Sequence, residues 1–181
     1  MRADIVPGAA FPDYELPDQD GTSRRLSDLQ GEDPLVLVLA RGHYCPKDNQ
    51  QHLELAGFQA KMAVAYTRLV TISTDDQLST MEFRAAVGAM WPFLSDPDRI
   101  MAHDLDIAEY TDPVHNPMIP HTLVLGPGLR VHRVYCGYYF WGRPSADDLW
   151  RDLRELFAAI KPDFDPTTEA ARQQWKAAQS S

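Results

Sequence analysis

The chain has 181 residues, of which 44% are hydrophobic and 24% charged, and its formal net charge is −9 at pH 7. This length and composition are those of a soluble globular domain that buries its own core. The acidity and the absence of any run of Lys or Arg exclude a nucleic-acid-binding surface, which needs a basic stripe. The longest apolar run, residues 35–40, is too short to span a bilayer. The start, M-R-A-D-I-V-P-G, lacks a signal-peptide hydrophobic region, so we expect a cytoplasmic protein with no membrane partner.

The first half of the chain predicts alternating strands and helices. After an irregular lead-in with two short extended pieces around the turn Asp20-Gly21, the run P-L-V-L-V-L-A predicts a central strand buried on both faces. Pro46 suits the first position of a helix over residues 46–62. The segment R-L-V-T-I-S-T then predicts a strand, and residues 77–89 predict a second helix.

The second half predicts a short helix over residues 100–107, a Pro-rich loop, and a third buried strand at T-L-V-L. Gly126-Pro127-Gly128 predicts a hairpin turn into the last strand, and Ser145 with Asp148 predicts a capped final helix. This order favours an α/β fold, in which a mixed central sheet carries helices on both faces.

One position combines a cysteine with a helix start. Cys45 lies between the buried strand and the helix opened by Pro46, so it is predicted to sit at a helix N-terminus. The unpaired N–H groups and the dipole at that point favour an anion such as a thiolate. His43 and Lys47 flank the cysteine and add positive charge. We interpret Cys45 as a reactive thiol, and the alternative is a small buried side chain that only packs.

Five segments, in order, carry a resemblance to a known family. They are P-G-A-A-F-P-D-Y-E-L-P-D-Q-D-G, L-S-D-L-Q-G, R-G-H-Y-C-P-K-D, W-P-F-L-S-D-P-D and I-P-H-T-L-V-L. The chain resembles the redoxin group of the thioredoxin superfamily, the peroxiredoxin-like AhpC/TSA branch in particular. The resemblance implies a thioredoxin-like fold and antioxidant, thiol-based activity on hydroperoxides or disulfides. We expect one redoxin domain over residues 1–160 and a partly helical tail over residues 161–181.

The chain departs from the family patterns where the helix begins. Thioredoxin-like enzymes carry C-x-x-C, and here Asp48 stands in place of the second cysteine. Against the peroxiredoxin pattern P-x-x-x-T-x-x-C, Arg41 replaces the proline, Cys45 the threonine and Asp48 the peroxidatic cysteine. The arginine of the family would fall near Pro120, and no Arg or Lys occurs between Ile100 and Leu129. Asp48 can cap the helix, while its charge opposes thiolate formation at Cys45.

The resemblance also assigns a role to Pro120. In these folds a cis-proline before the third core strand faces the active cysteine, and its peptide edge binds an extended substrate. We therefore expect a cis bond between Ile119 and Pro120, with His121 nearby, and the alternative is an ordinary trans proline. The six histidines show no metal-ligand spacing, so we expect no metal and no other cofactor.

The last strand ends in a second cysteine and an aromatic run. Cys136 is either a resolving cysteine or, as we favour, a packing residue. One strand is predicted between it and Cys45, so we expect no disulfide between them. The run from Tyr138 to Trp141 either packs at the sheet edge or roofs Cys45 and selects an apolar ligand.

These observations favour a thiol oxidoreductase. Cys45 would attack a small hydroperoxide or a disulfide, and a reductant of the glutathione or thioredoxin type would regenerate it. The main alternative is a non-catalytic thioredoxin-fold module that binds a peptide or partner beside Pro120. A weaker alternative is a redox sensor with a bridge between Cys45 and Cys136. Any of these could be a homodimer.

Overall fold

The computed structural model describes residues 1–138 and 142–179. Strands and helices follow one another along these residues in this order: β1 (Glu15–Pro17), β2 (Ser23–Arg25), α1 (Leu26–Gln30), β3 (Leu35–Leu39), α2 (Pro46–Val64), β4 (Arg68–Ser73), α3 (Gln77–Ala86), β5 (Phe93–Ser95), α4 (Ile100–Asp104), β6 (His121–Gly126), β7 (Arg130–Cys136), α5 (Ala146–Ile160) and α6 (Glu169–Gln179).

A five-stranded mixed sheet, in the order β5-β4-β3-β6-β7, forms the centre. The first three of these strands are parallel, and β6 runs antiparallel to both β3 and β7. At one edge Leu39, the last residue of β3, is the Cα partner of His121, whose partner on the other side is Cys136. The segments after β3, before β6 and after β7 therefore meet at this edge.

The strand β3 contributes side chains to two separate cores. Leu35, Leu37 and Leu39 belong to the core on one face of the sheet, and Val36 and Val38 belong to the core on the other. The predicted burial on both faces is confirmed. Each fully buried aliphatic side chain stabilises the fold by about 1.5–3 kcal/mol, so β3 is a firm base for the residues that follow it.

Helices cover both faces of the sheet. One core contains Leu26 of α1 and Met101 of α4, and the other contains Leu55 of α2, Phe83 of α3 and Leu153 of α5. The mixed α/β plan predicted from the sequence is confirmed.

The helix starts agree with the sequence, but α2 extends two residues beyond residue 62, and α3 and α4 end earlier than predicted. The Cys45 backbone is extended as the N-cap of α2, and Ser145 and Asp148 form the predicted capping box of α5. Helix α3 ends before residue 89 because Gly88 adopts a φ of 67°, and α4 ends before residue 107 because Asp106 adopts a φ of 54°.

Helix α6 contains no buried residue. Within residues 1–138 and 142–179, no helix combines the length and the apolar character needed to cross a membrane.

Candidate active site

Cys45 lies at the floor of a cleft at the edge where β3 ends and β6 begins. Only 3% of the surface of Cys45 is exposed. Cys45 is the N-cap of α2, so the unpaired N–H groups of the first turn of this helix point toward it. The cleft has a volume of about 660 Å³ and is lined by Arg41, Cys45, Pro46, Lys47, Ala108, Glu109, Tyr110, Thr111, Ile119, Pro120, Gly137, Tyr138 and Arg143.

Asp48, one helical turn beyond Cys45, is a fully buried carboxylate with four donors around it. Its Oδ2 accepts from the backbone N–H of Arg41 at 2.6 Å and of Gly42 at 3.3 Å. Its Oδ1 accepts from Nε of Arg143 at 2.9 Å and also from Nη2 of the same guanidinium. The carboxylate thus binds the segment before the helix and a residue far along the chain. A buried charge needs such a full set of partners.

Arg143 also reaches the thiol. Its Nη2 lies 3.9 Å from the sulfur of Cys45, a long N–H···S contact. One guanidinium therefore faces two acidic groups, the Asp48 carboxylate and the Cys45 thiol. The guanidinium and the helix N-terminus place positive potential at the sulfur of Cys45, and the Asp48 carboxylate places negative potential there.

Sequence reasoning missed Arg143. The family pattern places its arginine near Pro120, and Arg143 lies 14 positions beyond Leu129, outside that region. It stands two residues before the N-cap Ser145 of α5. The Ser145 cap predicts where α5 begins, but no local pattern in the sequence links position 143 to Cys45.

Pro120 lines the cleft with Cys45, but its peptide bond is not cis. Residues 1–138 and 142–179 contain no cis peptide bond, so the expected cis Ile119–Pro120 bond is corrected to trans. The physical reason is that trans is the favoured isomer of an X–Pro bond, and the hydrogen bonds on either side of this bond form with it in place. Ile119 donates its N–H to Ile107 at 2.6 Å, and the carbonyl of Pro120 accepts from the N–H of Gly137 at 2.7 Å.

The Ile119 carbonyl is also occupied. It lies 2.8 Å from Nδ1 of His121. The backbone polar groups of Ile119 and Pro120 are thus satisfied within the chain, and they do not form an open edge for an added strand.

The predicted supporting residues lie in three different places. Lys47 lines the cleft. His43 turns to Asp75, with Nδ1 at 2.8 Å from one carboxylate oxygen and its backbone N–H donating to the other. His121 is buried at the start of β6, and burial lowers its pKa to about 4, so it is neutral near pH 7. Neither histidine lines the cleft.

A cluster of polar and aromatic side chains lies beside the cleft, and its members Arg41 and Glu109 line it. Nη2 of Arg41 lies 2.9 Å from Glu109 and 3.6 Å from Asp112. The ring of Tyr44 stacks on His115, with centroids 3.6 Å apart and an interplanar angle of 8°. These contacts attach the loop before β6 to the segment that carries Cys45.

Both cysteines are free thiols, so the expectation of no Cys45–Cys136 disulfide is confirmed. Cys136 is exposed on β7, and β6 lies between it and β3, as predicted. Of the aromatic run, Tyr138 lines the cleft and is largely exposed, while residues 139–141 lie outside the described residues. Among the residues that the structure describes, no group of His, Cys, Asp and Glu could hold a metal ion.

With this geometry in place, comparison with known proteins decides the family. The model of the AhpC/TSA family matches residues 7–134. The chain belongs to the AhpC/TSA family.

Curated relatives in this family match part of the chain. Rv2521 and Rv1608c of Mycobacterium tuberculosis, which carry provisional peroxiredoxin names, are each 32% identical to it over 95 residues, or 52% of this chain. The match covers 60% of the first relative and 62% of the second.

Solved structures of AhpC/TSA-type proteins confirm the thioredoxin-like fold. Peroxidoxin BcpB from Mycobacterium tuberculosis is 26% identical, with a TM-score of 0.70 over 84% of this chain and 96% of that chain. AhpC from Enterococcus faecalis is 16% identical, with a TM-score of 0.72 over 88% of this chain and 98% of that chain. The second likeness concerns the fold alone.

Proposed function

We propose that this AhpC/TSA protein reduces hydroperoxides, with Cys45 as the nucleophile and an external thiol as the reductant. The proposal depends on one observation: the sulfur of Cys45 lies at the floor of a cleft, at the N-cap of α2, with Nη2 of Arg143 at 3.9 Å. The helix N-terminus and the guanidinium place positive potential at the sulfur, which the Asp48 carboxylate offsets in part, and the thiolate is the form that attacks.

The chemistry balances without any cofactor. The Cys45 thiolate attacks the terminal oxygen of R–O–OH, so that an S–O bond forms while the O–O bond breaks. Cys45 becomes a sulfenic acid, and the alkoxide takes up a proton and leaves as the alcohol. A thiol then condenses with the sulfenic acid and releases water, which leaves a mixed disulfide. A second thiol molecule displaces the Cys45 thiolate and leaves as part of a small disulfide.

The charges around the sulfur suit this reaction. As the O–O bond breaks, negative charge moves onto the departing oxygen, and Arg143 is the cation nearest the sulfur in the contacts described above. A guanidinium that Asp48 already holds in place can donate to that oxygen with little reorganisation. We infer that Arg143 stabilises both the thiolate and the leaving alkoxide.

The backbone beside Pro120 favours a hydroperoxide over a protein disulfide as the substrate. A peptide that docks as an added strand needs unpaired N–H and C=O groups. The Pro120 carbonyl accepts from Gly137, and both polar backbone groups of Ile119 are bonded within the chain. A small substrate that enters the cleft does not require unpaired backbone groups beside Pro120.

One observation favours a second candidate function, a non-catalytic binding module. Asp48 occupies the position where the peroxiredoxin pattern has its reactive cysteine, and it binds the cation that would otherwise serve a thiolate there. In a module of this kind Cys45 would be a packing residue, and the cleft would only bind a ligand.

Mass spectrometry of the intact protein separates the two functions. The protein is treated with stoichiometric hydrogen peroxide in the presence of a sulfenic-acid trap and, separately, with oxidised glutathione. Cys136→Ser and Cys45→Ser serve as matched variants that each retain one thiol. We expect a trapped sulfenic acid on Cys45 after peroxide, and much slower formation of the glutathione adduct.

Two outcomes would count against hydroperoxide reduction. If Cys45 reacts with peroxide no faster than the thiol of an unfolded peptide, the binding module is the better description. If oxidised glutathione modifies Cys45 faster than peroxide does, the protein is a disulfide-exchange enzyme.

A further inference from the structure

A chain of buried hydrogen bonds leads from the core to the helix turn that carries Cys45. Nε1 of Trp91 donates to Oγ1 of Thr71 at 3.0 Å. Oγ1 of Thr71 lies 3.0 Å from Nε2 of His52, and Nδ1 of His52 lies 2.6 Å from the backbone carbonyl of Asp48. His52, Thr71 and Asp48 are fully buried, and Trp91 is nearly so.

The donors in this chain can be assigned from chemistry alone. An indole N–H only donates, so the oxygen of Thr71 accepts from Trp91. The hydroxyl hydrogen of Thr71 is then available for Nε2 of His52, and Nδ1 of His52 carries the ring hydrogen that the Asp48 carbonyl accepts. Burial lowers the pKa of His52, which agrees with a neutral ring.

The series of hydrogen bonds continues through the side chain of Asp48. That carboxylate holds Arg143, and Nη2 of Arg143 faces the sulfur of Cys45. His52 therefore joins the first turn of α2, which carries Asp48, to β4, which carries Thr71. Phe83 and Phe93 pack around the His52 ring, with ring centroids at 4.9 and 5.2 Å, and they leave it little freedom to turn.

We propose that His52 is a positioning residue for Cys45, because its bond to the Asp48 carbonyl fixes the turn from which Asp48 holds Arg143 against the thiol. His52 touches neither substrate nor sulfur in this role. A role for His52 in catalysis rests on the proposed function. Its effect on the reactivity of Cys45 toward other electrophiles does not.

Two substitutions separate the Nδ1 contact from the Nε2 contact. In His52→Asn the side-chain amide nitrogen takes the place of Nδ1 and can still donate to the Asp48 carbonyl. In His52→Gln the longer amide takes the place of Nε2, reaches Thr71 and loses that donor. Each is made in the Cys136→Ser background, so that alkylation by iodoacetamide reports on Cys45 alone. At pH 7 we expect His52→Gln to slow alkylation about tenfold and His52→Asn to stay within about threefold of the parent.

A core substitution in the same helix controls for loss of stability. Leu55 lies on α2 in the core and makes none of these hydrogen bonds. Leu55→Ala therefore destabilises the helix without removing any hydrogen bond between Trp91 and Asp48. We expect Leu55→Ala to lower the urea midpoint while leaving the alkylation rate within about threefold of the parent. If Leu55→Ala slows Cys45 as much as His52→Gln does, or if His52→Asn gives no rescue, the proposal is wrong.

A spectroscopic test does not depend on the variants folding. In protein labelled with ¹⁵N at histidine, NMR of the ring nitrogens should find His52 in the Nδ1–H form throughout pH 6–8. The Nε2–H form would overturn the assignment. Turnover of hydrogen peroxide is measured in parallel. If turnover is absent while the alkylation rates follow the expected order, the proposed function fails and the positioning role stands.

Discussion

The guanidinium of Arg143 donates from both Nε and Nη2 to a single carboxylate oxygen of Asp48, with Nε at 2.9 Å. Both side chains are largely shielded from water. Withdrawing two charges from water costs several kcal/mol per ion, and the cost is offset only when every donor and acceptor is used. The pair is therefore sensitive to the loss of either member.

Arg143→Met should destabilise the protein by about 3–5 kcal/mol, because it leaves the Asp48 carboxylate buried without a cation. The double variant Asp48→Asn/Arg143→Met should recover part of this loss, since the carboxylate charge is removed as well. Urea unfolding measures both. Arg68→Met is the matched control. Arg68 pairs with Asp33 at the surface, so its loss should cost less than about 1 kcal/mol. Equal losses at the two arginines would contradict the expectation.

Asp48→Cys should create a more reactive thiol than Cys45. The new sulfur would lie where the N–H groups of Arg41 and Gly42 and the Arg143 guanidinium already converge on an anion. We expect at least tenfold faster consumption of hydrogen peroxide, followed by a disulfide to Cys45, since the two residues are one helical turn apart. Stopped-flow kinetics and intact mass measure these steps. A rate equal to that of the parent would show that the donors do not serve a sulfur atom.

Stability should fall as the pH is lowered from about 6.5 toward 4. Burial lowers the pKa of His121 to about 4, whereas a histidine in the unfolded chain titrates near 6.5. Between these values the unfolded chain binds the extra proton, so the contribution of His121, about 3 kcal/mol, is complete above pH 6.5 and is lost on acidification. His121→Asn retains a donor toward the Ile119 carbonyl but does not titrate. Its urea midpoint should decline less between pH 7 and 5 than that of the parent, and an unchanged decline would contradict this account.

Cys136→Ser should leave peroxide turnover with an external thiol within about twofold of the parent. Cys136 is a free thiol on β7, and one strand separates β7 from β3. That offset of about two strand spacings, near 10 Å, exceeds the reach of a disulfide. Coupled turnover assays with the single variants measure the effect. If Cys136→Ser abolishes turnover while Cys45 is still oxidised, Cys136 resolves the sulfenic acid and this prediction is wrong.

Local sequence patterns predicted the parts of the site that are local. The apolar run of β3, Pro46 after Cys45, and the Ser145 cap each act within a few residues, and each was found where expected. The contact between Asp48 and Arg143 joins residues 95 positions apart, and no periodicity or spacing encodes it. The hydrogen bond from Gly137 that occupies the Pro120 carbonyl likewise depends on how β7 pairs with β6.

The environment of His43 was also beyond local reasoning. A histidine two residues before a cysteine suggests added positive charge beside the thiol. Its actual partner, Asp75, comes from the segment after β4, 32 positions away. The direction of a side chain at the end of a strand depends on the neighbouring strand. The sequence near Cys45 therefore does not predict the contact between His43 and Asp75.

The pairing of Asp48 with Arg143 also limits how this protein and its relatives can diverge. A lineage that replaces the arginine first, or exchanges the carboxylate for an apolar group first, passes through a chain with a lone buried charge. An uncharged group at position 48 that still accepts hydrogen bonds, such as an amide or a protonated thiol, destabilises the singly substituted chain less than an apolar group does. We therefore expect that among homologous chains with Cys at position 45, the residues at positions 48 and 143 change together, and that Asp without Arg is rare.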